Sequence, residues 1–152
     1  MTIKRKIEKA IAAILRANAG FQQQGVAIIE GRADGERTLP CIIAYAESAT
    51  PPEDFPSGAG IWAVGLKVFV LTQADDEDVE AQDERASEVI REILGNPDTM
   101  ALLNIPEEGP DTRPVKDLHV YDIQEETLDE GRDERHFGDV LNFTVICQEV
   151  DG

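Results

Sequence analysis

The side chains able to ligate metals or act as nucleophiles are few: two cysteines, Cys41 and Cys147, two histidines, His119 and His136, and three serines, Ser48, Ser57 and Ser87. The cysteines lack C-x-x-C spacing and fall in separate apolar segments, where a thiol behaves as a small buried apolar group of a reducing compartment. The histidines fall on two segments that read as partner strands and could face each other. Without cysteine or acidic ligands at metal-binding spacing they make no zinc site. None of the serines has the Gly-x-Ser-x-Gly setting that exposes a nucleophile, and neither histidine stands in an orienting relationship to one. Gly58, Gly60 and Gly65 lead into a strand instead of opening a helix, so the phosphate-cradling geometry is missing. Asp75, Asp76, Glu77 and Asp78 lack the alternating ligands, central Gly and terminal Glu of a calcium loop, and read as a helix start, where carboxylates meet the positive end of the dipole. With 31 acids in the chain, close carboxylate pairs arise by chance and identify no general acid or base. The expectation is no cofactor, no metal and no catalytic centre.

The elements that would hold these residues follow from periodicity. Ile3, Ile7, Ala10, Ile11, Ile14 and Leu15 recur at three- and four-residue spacing, which predicts a helix over 2–19 with Gly20 ending it. Residues 26–29 and 39–46 are short strands, the second with Cys41, Ile43 and Tyr45 on one face, and the two are expected to form a hairpin across the turn at 31–35. The stretch 48–60 holds Pro51, Pro52 and Pro56 with Gly58 and Gly60, which predicts a long exposed loop. Residues 61–71 form the strongest strand, with Trp62, Val64, Leu66, Val68 and Val70 on one face and Ile61, Ala63, Phe69 and Leu71 on the other. Both faces of this central strand should be largely covered. Asp75 is the expected N-cap of a second helix, whose apolar stripe of Val79, Ala86, Val89, Ile90, Ile93 and Leu94 is closed by Gly95 and Pro97; 99–104 adds at most one turn. Residues 116–125 alternate Leu118, Val120 and Asp122 against His119, Tyr121 and Ile123. With 137–149 they form a long hairpin whose charged tip is 128–135. The order is α-β-β-β-α-β-β: an α+β domain in which two helices pack on one face of a mostly antiparallel sheet of about five strands.

A chain of 152 residues, 41% of them apolar, is one domain with one core. No apolar run reaches the length of a membrane span, and no signal peptide precedes the first helix, which makes the chain cytoplasmic by expectation. The formal net charge is −17, which disfavours a surface that binds nucleic acid through phosphate contacts. Its distribution is uneven. Through Ile29 there are five bases, Lys4, Arg5, Lys6, Lys9 and Arg16, against Glu8 alone, giving +4 and leaving −21 for the remainder. A basic helix beside an acidic body invites complementary contacts within or between subunits.

This succession, from the amphipathic first helix through the proline-bearing loop, the strand Leu66-Lys67-Val68-Phe69-Val70 and the acid-started helix to a final hairpin rich in Phe, Val and Ile, resembles the tail-terminator or tail-completion proteins of long-tailed bacteriophages, such as that of lambda. The resemblance covers nearly the whole chain and carries no diagnostic motif. It implies a non-enzymatic virion protein, assembled in the host cytoplasm, that forms a homohexameric ring. Such a ring caps the tail-tube protein, halts its polymerisation and docks the head-completion or neck protein, while DNA passes as cargo through an acidic lumen. On that reading Lys4, Arg5, Lys6 and Lys9 of the first helix, Glu53, Asp54 and Phe55 of the loop, and Asp129, Arg132 and Arg135 of the hairpin tip are the candidate partner or subunit contacts.

Three other readings fit the same residues. A neighbouring ring, a head-tail connector or the tube subunit itself, differs only in its partners. An acidic DNA mimic would array carboxylates at phosphate-like spacing for the groove of a DNA-binding protein. An enzyme would need a deep pocket holding His119 or His136 beside a buried carboxylate.

Overall fold

The computed structural model describes residues 1–31, 40–53, 60–71, 79–126 and 138–150. Helix α1 (Ile3–Arg16) starts at Thr2, whose Oγ1 accepts the Arg5 N–H at 3.3 Å. It is followed by α2 (Ala19–Gln23), β1 (Ala27–Glu30), β2 (Cys41–Thr50), β3 (Ile61–Leu71), α3 (Val79–Leu94), α4 (Pro97–Leu103), β4 (Leu118–Glu125) and β5 (Gly138–Glu149). The strands make one sheet in the order β1-β2-β3-β5-β4. β1 runs parallel to β2, and every other neighbour pair is antiparallel.

All four helices contribute to one core against one face of this sheet: Ile7, Ile11 and Leu15 of α1, Phe21 of α2, Ile90 and Leu94 of α3 and Leu103 of α4 meet Val64, Leu66, Val68 and Val70 of β3. The alternation of β3 is therefore one-sided. Its opposite face is only partly buried at Ile61, Ala63, Lys67 and Phe69, with burial completed at Leu71 beside Cys41 and Ile43. The expectation that both faces of β3 are covered fails because no helix lies on that side among the described residues.

The α+β class stands and the sheet has five strands, mixed through the parallel β1–β2 pair, but the expected order α-β-β-β-α-β-β with two helices does not hold. The order is α-α-β-β-β-α-α-β-β. The first helix ends at Arg16, not at residue 19, because the Asn18 side chain accepts the Phe21 N–H at 3.0 Å and so caps a new helix. Pro97 likewise opens α4 at its first turn, behind the Asn96 cap, instead of merely closing α3. Residues 26–29 and 39–46 are not a hairpin, since β1 and β2 are parallel. β2 also extends to Thr50, so Ser48 is a strand residue. Finally, a bulge between Val120 and Asp122 breaks the period of β4 and returns Ile123 to the core side with Val120. The β4–β5 pairing is antiparallel, as a hairpin requires. The predicted helix start at Asp75 and the charged tip at 128–135 lie outside the described residues.

Candidate interaction surface

The charges of α1 are largely spent inside the molecule. Glu8 is buried; its Oε1 accepts from Arg5 Nη1 at 2.8 Å and its Oε2 accepts the Ala46 N–H at 2.9 Å. The last ladder contact of β1 with β2 is at Ala44, where the Gly31 N–H donates to the carbonyl at 2.8 Å. The Glu8 carboxylate takes the place of a strand one step further on, at the bulge after Ala46. Gly31 adopts a φ of +76°, and a Cβ there would come within 2.7 Å of Arg5 Nη1. The glycine is thus favoured by its backbone, and a Cβ there would displace the Arg5 guanidinium from its place beside Glu8.

Lys6 is also buried, and its Nζ reaches Asp117 Oδ2 at 2.7 Å and Glu149 Oε2 at 2.9 Å. This clamps the first turn of α1 to the start of β4 and the end of β5. The hydrogen bond that Lys6 donates to Asp117 raises the Lys6 pKa against the opposite pull of burial, and the same bond lowers the pKa of Asp117. Arg16 closes the other end of the helix on Glu30 at 2.8 Å and the Ile28 carbonyl at 2.9 Å. Lys4 and Lys9 remain exposed and form no ion pair among the described residues.

Of the other predicted contact residues, Glu53 is exposed, while Asp54, Phe55, Asp129, Arg132 and Arg135 lie outside the described residues. The four basic positions therefore do not act as one outward patch: Lys6 and Arg5 organise the fold, and Lys4 and Lys9 face solvent.

The opposite distribution occurs where α4 meets β4. The Asn104 side chain satisfies both backbone groups of Val120, donating Nδ2 to the carbonyl at 2.7 Å and accepting the N–H on Oδ1 at 2.8 Å. An amide side chain closes the free edge of β4 as a neighbouring strand would. Around this junction Leu102, Ile105 and Tyr121 are 53%, 60% and 49% exposed. Residues 111–116 are tied together by Asp111, whose carboxylate binds Arg113 through Nε and Nη2, both at 2.9 Å, and whose carbonyl accepts from Lys116 at 2.8 Å. That guanidinium holds the Asp111 carboxyl well below the usual carboxylate range. Arg113 is buried, and its Nη1 has no hydrogen-bond partner among the described residues.

The residues first considered for chemistry have structural surroundings. His119 packs edge-on against Tyr121 at 4.5 Å between ring centroids, and the tyrosine hydroxyl donates to Gln148 Oε1 at 2.6 Å. Neither cysteine is in a disulfide, and burial pushes the Cys147 thiol up to about 12, which keeps it from acting as a thiolate. The Ser87 hydroxyl donates to Asp139 at 3.0 Å, tying α3 to β5. Among the described residues no cluster of three or more His, Cys, Asp or Glu could hold a metal ion. A cavity of about 460 Å³ opens between α2, α3 and the adjoining ends of β2 and β3, with Phe21, Val26, Ile42, Val70 and Val89 in its wall, and among the described residues no histidine or carboxylate lines it. His136 lies outside the described residues.

The corner at α4–β4 went unread in the sequence because 106–114 looked only like turns. The sequence does carry Asp111 and Arg113 two residues apart, a spacing at which the two side chains can pair. The chain matches no protein-family model, and no curated protein is significantly similar to it.

Proposed function

We propose that the chain is a ring-forming subunit of the head-tail junction of a long-tailed bacteriophage, of the tail-terminator type. In this role it caps the tail tube, stops its polymerisation and presents a docking surface to the head or neck, and its excess acid lets DNA pass without adhering. The observation that carries the reading is one-sided packing: the helices occupy one face of the sheet, while the opposite face is partly buried and the α4–β4 corner keeps large apolar side chains in solvent. Surfaces of that kind mark sites of association. The chain's own chemistry then lies in contacts and in charge, with no reacting group required.

The test is size in solution together with tail-length control. Light scattering and negative-stain microscopy of the purified protein are expected to give a closed ring, alone or when tail tubes are added, and deletion is expected to leave tails of unregulated length. A protein that stays monomeric in both conditions, and whose loss leaves tail length unchanged, would overturn the reading.

A further inference from the structure

We propose that neighbouring copies meet through a heterologous contact in which the exposed bases of α1 on one copy, Lys4 and Lys9, lie against the acidic and apolar α4–β4 corner of the next. This deepens the ring reading and rests on it.

The corner has the composition of an interface centre. Leu102, Ile105 and Tyr121, with Met1, make up the exposed large apolar side chains of the described residues. Leu102 and Ile105 lie on either side of Asn104 in sequence, so its junction with Val120 carries both, while Tyr121 turns to the other face of the same edge strand, where it meets His119 and Gln148. Asp98, Glu107 and Glu108 surround Leu102 and Ile105 in sequence, are exposed, and form no ion pair among the described residues. A patch of this kind takes a partner with apolar surface and positive charge.

Such charge is scarce on this chain. Of the ten bases on described residues, Arg5, Lys6, Arg16, Lys67, Arg91, Arg113 and Lys116 are already paired with the chain's own acids. Lys4, Lys9 and Arg85 are left, and two of these are on α1. Lys4 and Lys9 stand on either side of Arg5, which is itself about half exposed despite its bond to Glu8. The two free bases of α1 and the free acids around α4 thus sit on separate elements, and neither set forms an ion pair among the described residues. Pairing them between copies joins two different patches, a head-to-tail contact that closes into a ring when its rotation closes. The apolar side chains supply affinity and the charges set register and encounter rate.

The experiment compares the assembly of wild type with Lys4→Glu/Lys9→Glu, with Glu107→Lys/Glu108→Lys, and with all four substitutions in one chain, by light scattering and microscopy at low and high salt. All four positions are exposed, so circular dichroism should show native folding throughout. Each double variant is expected to need at least tenfold more protein to assemble at low salt, and the fourfold variant to assemble near the wild-type concentration. Leu102→Ser/Ile105→Ser, with no charge change, is expected to weaken assembly at both salt concentrations. A wild-type chain that never assembles overturns the ring reading itself. Rings that form equally well in all the charge variants, or double variants not rescued by the fourfold one, overturn only this contact.

Discussion

Helix α1 and the α4–β4 corner dispose of their side chains in opposite ways. The helix carries four bases within its first seven residues, a pattern that reads as an outward charged face, yet Lys6 and Glu8 are buried and Arg5 is tied to Glu8. The corner follows a turn-like sequence with little to distinguish it, yet it leaves Leu102, Ile105 and Tyr121 in solvent. The cause is common to both. Each lies where a strand of the sheet runs out of backbone partners, β2 beyond the end of β1 and β4 along its free edge. Glu8 and Asn104 fill those positions with side-chain atoms. At α1 the acid that closes the sheet brings its base inward. At α4 the amide that closes the sheet holds its apolar neighbours against the edge but outside the core. Charge in a sequence is thus not surface charge until the sheet's open hydrogen-bonding groups have been assigned.

The sharpest way to separate inside from outside is within α4 itself. Leu103 is fully buried and its neighbour Leu102 is half exposed. Leu103→Ala is expected to cost about 3 kcal/mol through lost burial and the cavity left behind. Leu102→Ala is expected to stay within about 0.5 kcal/mol in the monomer. Urea unfolding with unchanged m-values measures both. Similar costs at the two positions would mean that the corner is core and not surface.

A smaller effect tests the substitution of a side chain for a strand at β2. Glu8→Ala leaves the Ala46 N–H buried without an acceptor and releases Arg5, for an expected loss of about 2 kcal/mol. Glu8→Gln keeps an amide oxygen for that N–H and should recover part of it. Hydrogen exchange at the Ala46 amide should accelerate in the alanine variant beyond what its lower global stability explains. Unchanged protection at Ala46 would show that the carboxylate does not serve as the missing strand.

Much of this architecture was legible because it is periodic. The three-and-four spacing of Ile3, Ile7, Ile11 and Leu15 is the buried face of α1, and the even positions from Val64 to Val70 are the buried face of β3. What escaped lies where period gives way to a single side chain. Asn18 and Asn96 each restart a helix, and a one-residue bulge at Tyr121 turns Ile123 inward. The parallel pairing of β1 with β2 is a long-range choice that two short apolar runs cannot declare. For the candidate surface, the residue types of α1 were visible, but not that Lys6 would find Asp117 and Glu149 more than a hundred positions away. Leu102 and Ile105 look in sequence like any other apolar residues. Only the Asn104–Val120 junction places them beside a free edge.

The smallest expected effect concerns the Lys6 clamp and its response to pH. Asp117 is held below its ordinary value of 3.8 by the Lys6 hydrogen bond. Its contribution to stability is therefore complete above that value and is lost as pH falls through its depressed folded pKa. Lys6 is raised above its ordinary 10.5, chiefly by Asp117. Its contribution is complete below 10.5 and is lost as pH rises through the raised folded value. The clamp should therefore leave stability flat through the neutral range and tilt it at both extremes. Asp117→Asn removes the acid-side contribution of this group and lessens the alkaline one, while Glu149 still holds Lys6. The acid slope should diminish and not vanish, because Asp111 is depressed by Arg113 and titrates in the same direction. Melting temperatures of wild type and Asp117→Asn across acid and alkaline pH measure the difference. Parallel profiles at both extremes would show that Lys6 gains nothing from Asp117.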